Sequence, residues 1–364
     1  MRTQKKGGVA AKSQSTRQGA PPVFPDVLVG RSDAMIALSN IYAEGDTPYA
    51  DKHLQPLDPI IVEGEGYLYG IRSIQIVALK ETVRGNDFVN VYSGTNHSVG
   101  ITAAGQCYTW GANTMYQLGY PGAEQGILGI DMDPRVVNAL HGEVVVAAAC
   151  GKLHTVVLTE EGNVWSWGAY GHGQLGLGDV SKKLHPFGWV EPTRIKSLDK
   201  TVRSVACGQF HTVMIDGMGD LWSCGTKDHG AHGQDSLWDV SGPTIIGKVH
   251  GKDFRQVACG ALHTIALTAS GQLYAWGLNE DGQLGLGDSN DRLQPELLAA
   301  VTGRNIRAIA CGNSHSMFLS DRDVFTFGCG NAGALGHGNS KAQFEPKRVV
   351  KLTEECRLRD VSAG

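Results

Sequence analysis

The sequence has no Cys-x-x-Cys pair, no run of 18 apolar residues and no acidic residue among its first 25. Each absence excludes something. Eight scattered cysteines point to a reduced intracellular compartment. Without a long apolar run there is no membrane-spanning helix, and no secretory apolar region stands at the start. Only 13 prolines are present, and glycine does not fall at every third position, which excludes collagen. Interleaved apolar residues exclude a disordered Gly/Ser linker. What is abundant is glycine, 49 of 364 residues, against a usual share of roughly 7%. Charge is uneven. Arg2, Lys5, Lys6, Lys12 and Arg17 make a basic tail, and the remainder carries 27 basic against 36 acidic residues. That body is a poor general binder of nucleic acid.

A repeat accounts for the glycine. Gly-x-x-His-(Ser/Thr) followed by an apolar run starts at Gly94, Gly151, Gly208, Gly260 and Gly312, in steps of 57, 57, 52 and 52 residues. A further step reaches Gly364, so the final residues read as the opening of another unit. In the fourth unit, Phe254 to Cys259 is one short strand and His263 to Leu267 a second. Thr268 to Gln272 is a turn, with Gly271 supplying positive φ. Leu273 to Gly277 is a third, aromatic and alternating strand. Gly282 to Gly287 is a glycine-rich loop, and Pro295 opens a fourth extended stretch. Four short strands cannot bury both faces alone, but stacked radially they can. In the fifth unit Asp321-Arg322-Asp323 replaces the glycine turn, so a different turn type is expected. The first two units are longer between loop glycine and proline, about residues 120–133 and 177–191.

Ala206-Cys207-Gly208-Gln209-Phe210-His211-Thr212, Ala258-Cys259-Gly260-Ala261-Leu262-His263-Thr264, Tyr274-Ala275-Trp276-Gly277 and Gly282-Gln283-Leu284-Gly285 resemble the regulator of chromosome condensation (RCC1-like) repeat family. The resemblance covers about residues 88–364. It implies an all-β fold, a β-propeller of four-stranded blades, usually seven; five firm units and one degenerate unit are countable here. The expected organisation is a disordered basic tail over 1–22 and one propeller domain over 23–364. Residues 23–87 form the degenerate unit, with an insertion at 39–66, and Ile74 to Val91 reads as closing strands. Ring closure is expected between a strand near Leu358–Val361 and N-terminal strands, which removes an exposed edge.

The tempting sites have structural readings beside them. One histidine per unit, at His97, His154, His211, His263 and His315, does not suit ligands gathered about 2 Å from one ion. Each is expected to anchor its blade by hydrogen bonds to neighbouring backbone. Cys150, Cys207, Cys259 and Cys311 precede the unit glycines and read as small buried hydrophobes. The glycine loops lack Gly-Lys-Ser/Thr and so do not read as phosphate cradles. Asp228, His229, His232 and Asp235 replace the usual loop in the third unit. A His-x-x-His metal pair competes there with a solvated, degenerate loop. No catalytic arrangement, metal site or cofactor is assigned.

The functional expectation is a non-catalytic scaffold mediating protein–protein interactions in a larger intracellular assembly. The candidate partner-binding residues are Lys182, Lys183, His185, Phe187 and Trp189, because cations beside aromatics suit an interface. The basic tail is the candidate contact for an anionic surface, nucleic acid included, with a solvated terminus or a mitochondrial presequence as other readings. The alternative implied by the resemblance is guanine-nucleotide exchange on a small Ran-like GTPase with chromatin association. Partners are expected to be other proteins, a small GTPase or a cytoskeletal, ciliary, ribosomal or chromatin complex, with no membrane. The compartment follows the partner: cytoplasm, cytoskeleton, nucleus or mitochondrion. A plant UV-B photoreceptor shares the repeat grammar. It places Trp-Arg after the unit glycine, where this chain has Thr95-Asn96, Lys152-Leu153, Gln209-Phe210, Ala261-Leu262 and Asn313-Ser314, which disfavours light sensing.

Overall fold

The computed structural model describes residues 88–121, 129–180, 183–186, 188–321, 323–350 and 361. They form five four-stranded antiparallel sheets in simple up-and-down order. Blade 1 holds β1 (Phe88–Ser93), β2 (His97–Thr102), β3 (Cys107–Ala112) and β4 (Ile130–Val136). Blade 2 holds β5 (Val145–Cys150), β6 (His154–Thr159), β7 (Val164–Ala169) and β8 (Trp189–Arg194). Blade 3 holds β9 (Val202–Cys207), β10 (His211–Asp216), β11 (Leu221–Gly225) and β12 (Val240–Ile245). Blade 4 holds β13 (Phe254–Cys259), β14 (His263–Thr268), β15 (Leu273–Gly277) and β16 (Arg292–Leu297). Blade 5 holds β17 (Ile306–Cys311), β18 (His315–Ser320), β19 (Asp323–Gly328) and β20 (Gln343–Arg348).

The first strands β1, β5, β9, β13 and β17 touch one another from blade to blade, so they are innermost. The second strands β2, β6, β10 and β14 are buried at every residue, because a neighbouring blade covers each face. The cores lie between blades. Phe318, Phe325 and Phe327 of blade 5 pack with Ile265, Leu273 and Leu284 of blade 4. Trp276 of blade 4 packs with Val213, Ile215 and Leu221 of blade 3. Trp276 is fully buried, and burying one such aromatic stabilises by about 3 kcal/mol.

Two sequence expectations change, and the expected difference in the blade 5 hairpin is present. Pro295 does not open its strand: β16 begins at Arg292, and the proline is its fourth residue. Pro192, Pro243 and Pro346 sit alike in β8, β12 and β20. These are outer edge strands, where a missing N–H costs no ladder bond. Phe88–Ser93 opens blade 1, so residues 88–91 are not closing strand; residues 74–87 lie outside the described residues. The short hairpin of blade 5 pairs Ser320 with Asp323. Asp321 takes φ 51° there, the left-handed role that Gly271 fills at φ 84° in blade 4.

Val361 packs on Ala308, Leu319, Val324 and Val349 of blade 5. Ile309, 52 residues earlier, packs on blade 4 in the same way. Val361 thus takes the place against blade 5 that Ile309 takes against blade 4. The basic tail, the degenerate unit over 23–87 with its insertion, and the expected closing pair lie outside the described residues, Val361 excepted.

Candidate functional site

The residues that define the repeat are joined blade to blade. His97 Nε2 is 2.8 Å from Thr155 Oγ1, and His154 Nε2 is 3.1 Å from Thr212 Oγ1. His211 Nε2 is 2.9 Å from Thr264 Oγ1, and His263 Nε2 is 2.9 Å from Ser316 Oγ. The hydroxyls of Thr155, Thr212 and Ser316 donate their single proton to the carbonyls of Gln117, Gln174 and Gln283 at 2.7–2.8 Å. The imidazole must therefore donate from Nε2. The expectation of backbone partners is corrected for His97, His154, His211 and His263: each bridges to a hydroxyl of the next blade, and Thr155, Thr212 and Ser316 carry the link on to backbone. Nδ1 of His97, His154, His211 and His263 is buried with no hydrogen-bond partner among the described residues. Burial pushes His97 down to about 4 and His154, His211 and His263 to about 3. These rings are neutral struts.

The cysteines that precede the unit glycines also lie at blade interfaces. Cys311 Sγ is 3.5 Å from Ala258 O, and Cys150 Sγ is 3.7 Å from Tyr92 O. Burial pushes the Cys311 thiol up to about 12 and raises Cys150, Cys207 and Cys259 as well. A thiol held protonated is a poor nucleophile. Native protein at pH 8 should leave these four unmodified by iodoacetamide, with alkylation only after denaturation. Peptide mapping of rapid native labelling at any of them would contradict this.

What can vary lies at the loop ends. The loops from first to second and from third to fourth strands share one end of the blades. On that end the tips are laced together by backbone bonds. Lys152 N–H donates to Gln209 O, Gln209 N–H to Ala261 O, and Ala261 N–H to Asn313 O. The platform is therefore rigid, and departures from the repeat stand on it.

Two aromatic groups do so. In the first, the Trp189 ring is sandwiched: Tyr116 stacks on one side at 4.1 Å and 5°, His185 on the other at 4.0 Å and 12°. Tyr116 adopts φ 62° where blades 2 to 5 have Gly173, Gly230, Gly282 and Gly333. A tyrosine held left-handed carries strain of about 1 kcal/mol or more, offset here by the stack. Both faces of Trp189 are occupied, so it joins the enlarged loop of blade 2 to blade 1 rather than offering a free anchor. Lys183 is exposed beside this stack in sequence. Lys182 and Phe187 lie outside the described residues.

The second group crosses blades 2 and 3. Lys152 Nζ sits 5.5 Å from the Phe210 ring centre, and His172 lies 5.0 Å from the same ring. His172 Nδ1 is 3.2 Å from Asp239 Oδ2, whose other oxygen accepts the Lys227 N–H at 2.9 Å. Lys227 Nζ lies 5.7 Å from the Trp238 ring centre. Leu237 and Trp238 are 79% and 76% exposed. Their loop is pinned: Trp238 N–H donates to Ser236 Oγ, Ser236 Oγ to Trp238 O, and Gln234 Nε2 to Thr244 O. Two large apolar side chains are thus presented on ordered backbone. Sequence reasoning singled out this unit for its histidines and passed over Leu237-Trp238. The signal was there, since no other unit has Leu-Trp in its loop.

The third-unit histidines part company. His229 Nδ1 bonds Asp291 Oδ2 of blade 4 at 2.6 Å. His232 is fully buried where other loops have leucine, and its Nδ1 accepts the Gln234 N–H at 3.0 Å. Among the described residues no group of three His, Cys, Asp or Glu is placed to hold a metal. The loop glycines are packing devices: a Cβ on Gly285 would lie 2.8 Å from the Phe327 ring of the next blade.

Radial four-stranded blades bonded through their core, with variation confined to loops, define a β-propeller that presents a surface. The chain belongs to the RCC1-like domain family, whose model matches residues 70–364. It is 35% identical to the E3 ubiquitin-protein ligase HERC2 of Homo sapiens over 243 residues, 66% of this chain and 5% of HERC2. It is 33% identical to the ultraviolet-B receptor UVR8 of Arabidopsis thaliana over 283 residues, 77% of this chain and 62% of UVR8. The chain thus spans less than two thirds of either relative. Among solved structures, Prp20p from Saccharomyces cerevisiae superposes with a TM-score of 0.62 at 23% identity, covering 76% of this chain and 66% of Prp20p. Human WBSCR16 superposes with a TM-score of 0.55 at 23% identity, covering 73% and 83%. Both share the propeller fold.

Proposed function

We propose that this protein is a non-catalytic scaffold that binds a protein partner through the loop end of blades 2 and 3, within a larger intracellular assembly. The observation that carries the reading is the exposed Leu237-Trp238 pair on a pinned loop beside Lys227. Large apolar groups on pre-ordered backbone are the usual anchors of an interface. The polar residues around them, Lys152, His172 and Asp239, suit its rim. The buried histidines and thiols are neutral and serve packing, and the family relationship favours protein partners.

A photo-crosslinking side chain at Leu237 should trap a discrete partner in cells, whereas the same group at Glu161, on the opposite end, should not trap that partner. Adducts of equal yield from both positions would defeat the reading. The second reading, exchange on a small GTPase, draws on the solved structure of Prp20p, described with its binding to Gsp1p and histones. A nucleotide-release assay with purified GTPases separates the two, because a scaffold leaves the release rate unchanged.

A further inference from the structure

The opposite end of the propeller carries a second, unrelated periodicity. Each described first strand has a β-bulge after its first residue. Phe254 pairs with Thr268 and Gln256 with Leu267, so Arg255 is the extra residue. The same register shift falls on Val89, Val146, Arg203 and Arg307. A bulge re-aims the side chain it carries, and all five of these residues are exposed. Blades 3, 4 and 5 thus set three guanidiniums at equivalent places on the innermost strands. Blades 1 and 2 have valines there.

Two of the arginines are held alike. Arg203 Nη2 donates to Phe254 O, and Arg255 Nη2 to Ile306 O at 2.6 Å. Each thus reaches the carbonyl that opens the next blade. Arg307 Nη1 lies 3.4 Å from Asp321 O. Of the exposed carboxylates nearby, Asp253 pairs with Arg203 at 3.1 Å and Asp321 accepts the Asn305 side chain. Arg255 and Arg307 have no ion-pair partner among the described residues. Lys200, Lys252 and Arg304 repeat at the same 52-residue step and are exposed at this end. Arg304 is steadied over the Phe325 ring at 4.6 Å. Arg255 and Arg307, each with one donor committed, keep four for a ligand, and Arg203, with two committed, keeps three, in a fork that matches carboxylate.

We propose that the bulge arginines Arg203, Arg255 and Arg307 form a docking arc for an extended, glutamate- or aspartate-rich peptide segment of a protein partner. A peptide fits the charge layout better than a nucleic acid. Glu143, Glu160 and Glu161 occupy the same end of blades 1 and 2. They repel a polyanion that runs beyond the arc and tolerate a short acidic segment. Alternate residues of an extended peptide lie on one face, about 7 Å apart, so a glutamate at every second position turns a row of carboxylates towards the arc.

The test uses the full chain and a fluorescein-labelled nonapeptide with four glutamates at alternate positions, followed by fluorescence anisotropy. Binding should weaken as salt rises. It should fall at least tenfold in Arg203→Gln/Arg255→Gln/Arg307→Gln, and exceed that of a nine-nucleotide single strand. Val146→Arg extends the arc by one blade at an exposed position and should tighten binding at least twofold. This gain reports even where the triple variant folds poorly. Unchanged affinity in a folded triple variant, no gain in Val146→Arg, or tighter binding of the oligonucleotide would each overturn the proposal.

Discussion

Acidification from pH 7 to about pH 5 should strip the propeller of most of its stability. The cause is the row of buried histidines. In the unfolded chain each takes up a proton below about pH 6.5. In the folded chain His97 stays neutral down to about 4, and His154, His211 and His263 to about 3. Protonation would place an N–H at Nδ1, where the buried atom has no acceptor among the described residues. The folded values are depressed, so this contribution is complete above pH 6.5 and is lost as pH falls towards 4. At pH 5 each histidine favours the unfolded state by about 2 kcal/mol. Four together amount to about 8 kcal/mol, which rivals the whole stability of a typical domain. Thermal melts by circular dichroism should show Tm falling steeply between pH 6.5 and 5. His211→Gln should flatten that slope by about a quarter. A level Tm across the interval would refute the account of these residues as neutral struts.

Gly260→Ala should also be strongly destabilising, although it adds one methyl group. A Cβ there would lie 2.0 Å from His263 Cε1, 2.4 Å from its Nδ1 and 2.7 Å from Gly312 O. The His263 ring cannot retreat without releasing Ser316 of the next blade. Overpacking costs about 1–3 kcal/mol and the lost hydrogen bond about 1 more. The expected sum is about 3 kcal/mol, a drop in Tm of about 6–10 °C. Gly247→Ala is the control, because nothing lies within 4 Å of its added carbon. There stability should hold or rise slightly. Equal melting of the two variants would show that the unit glycine is not a packing requirement.

The repeat made much of the fold legible. The strands expected from Phe254 and from Leu273 match β13 and β15, and Gly271 turns the hairpin with positive φ as anticipated. What stayed hidden has a common cause. His adjoins Thr or Ser in every unit, yet the histidine of one unit bonds the hydroxyl of the next, 53 to 58 residues away. Spacing alone cannot tell an intra-unit neighbour from its copy one blade further on. The proline position was misread because it marks the rim strand rather than its first residue. The candidate interface was legible only in part. Cations beside aromatics led to Trp189, but stacking on both faces depends on Tyr116 from another blade. Leu237-Trp238 belong to no pattern, and only their exposure in the fold brings them forward.

The proposed interface lies where the chain leaves its repeat, on the loop end of blades 2 and 3. Quantitative affinity capture of the full chain, wild type against Leu237→Ser/Trp238→Ser, tests it most directly. Both side chains are exposed, so Tm should be unchanged. A defined set of partners should be recovered at least fivefold less with the double variant. Recovery of the same partners at the same level would contradict it.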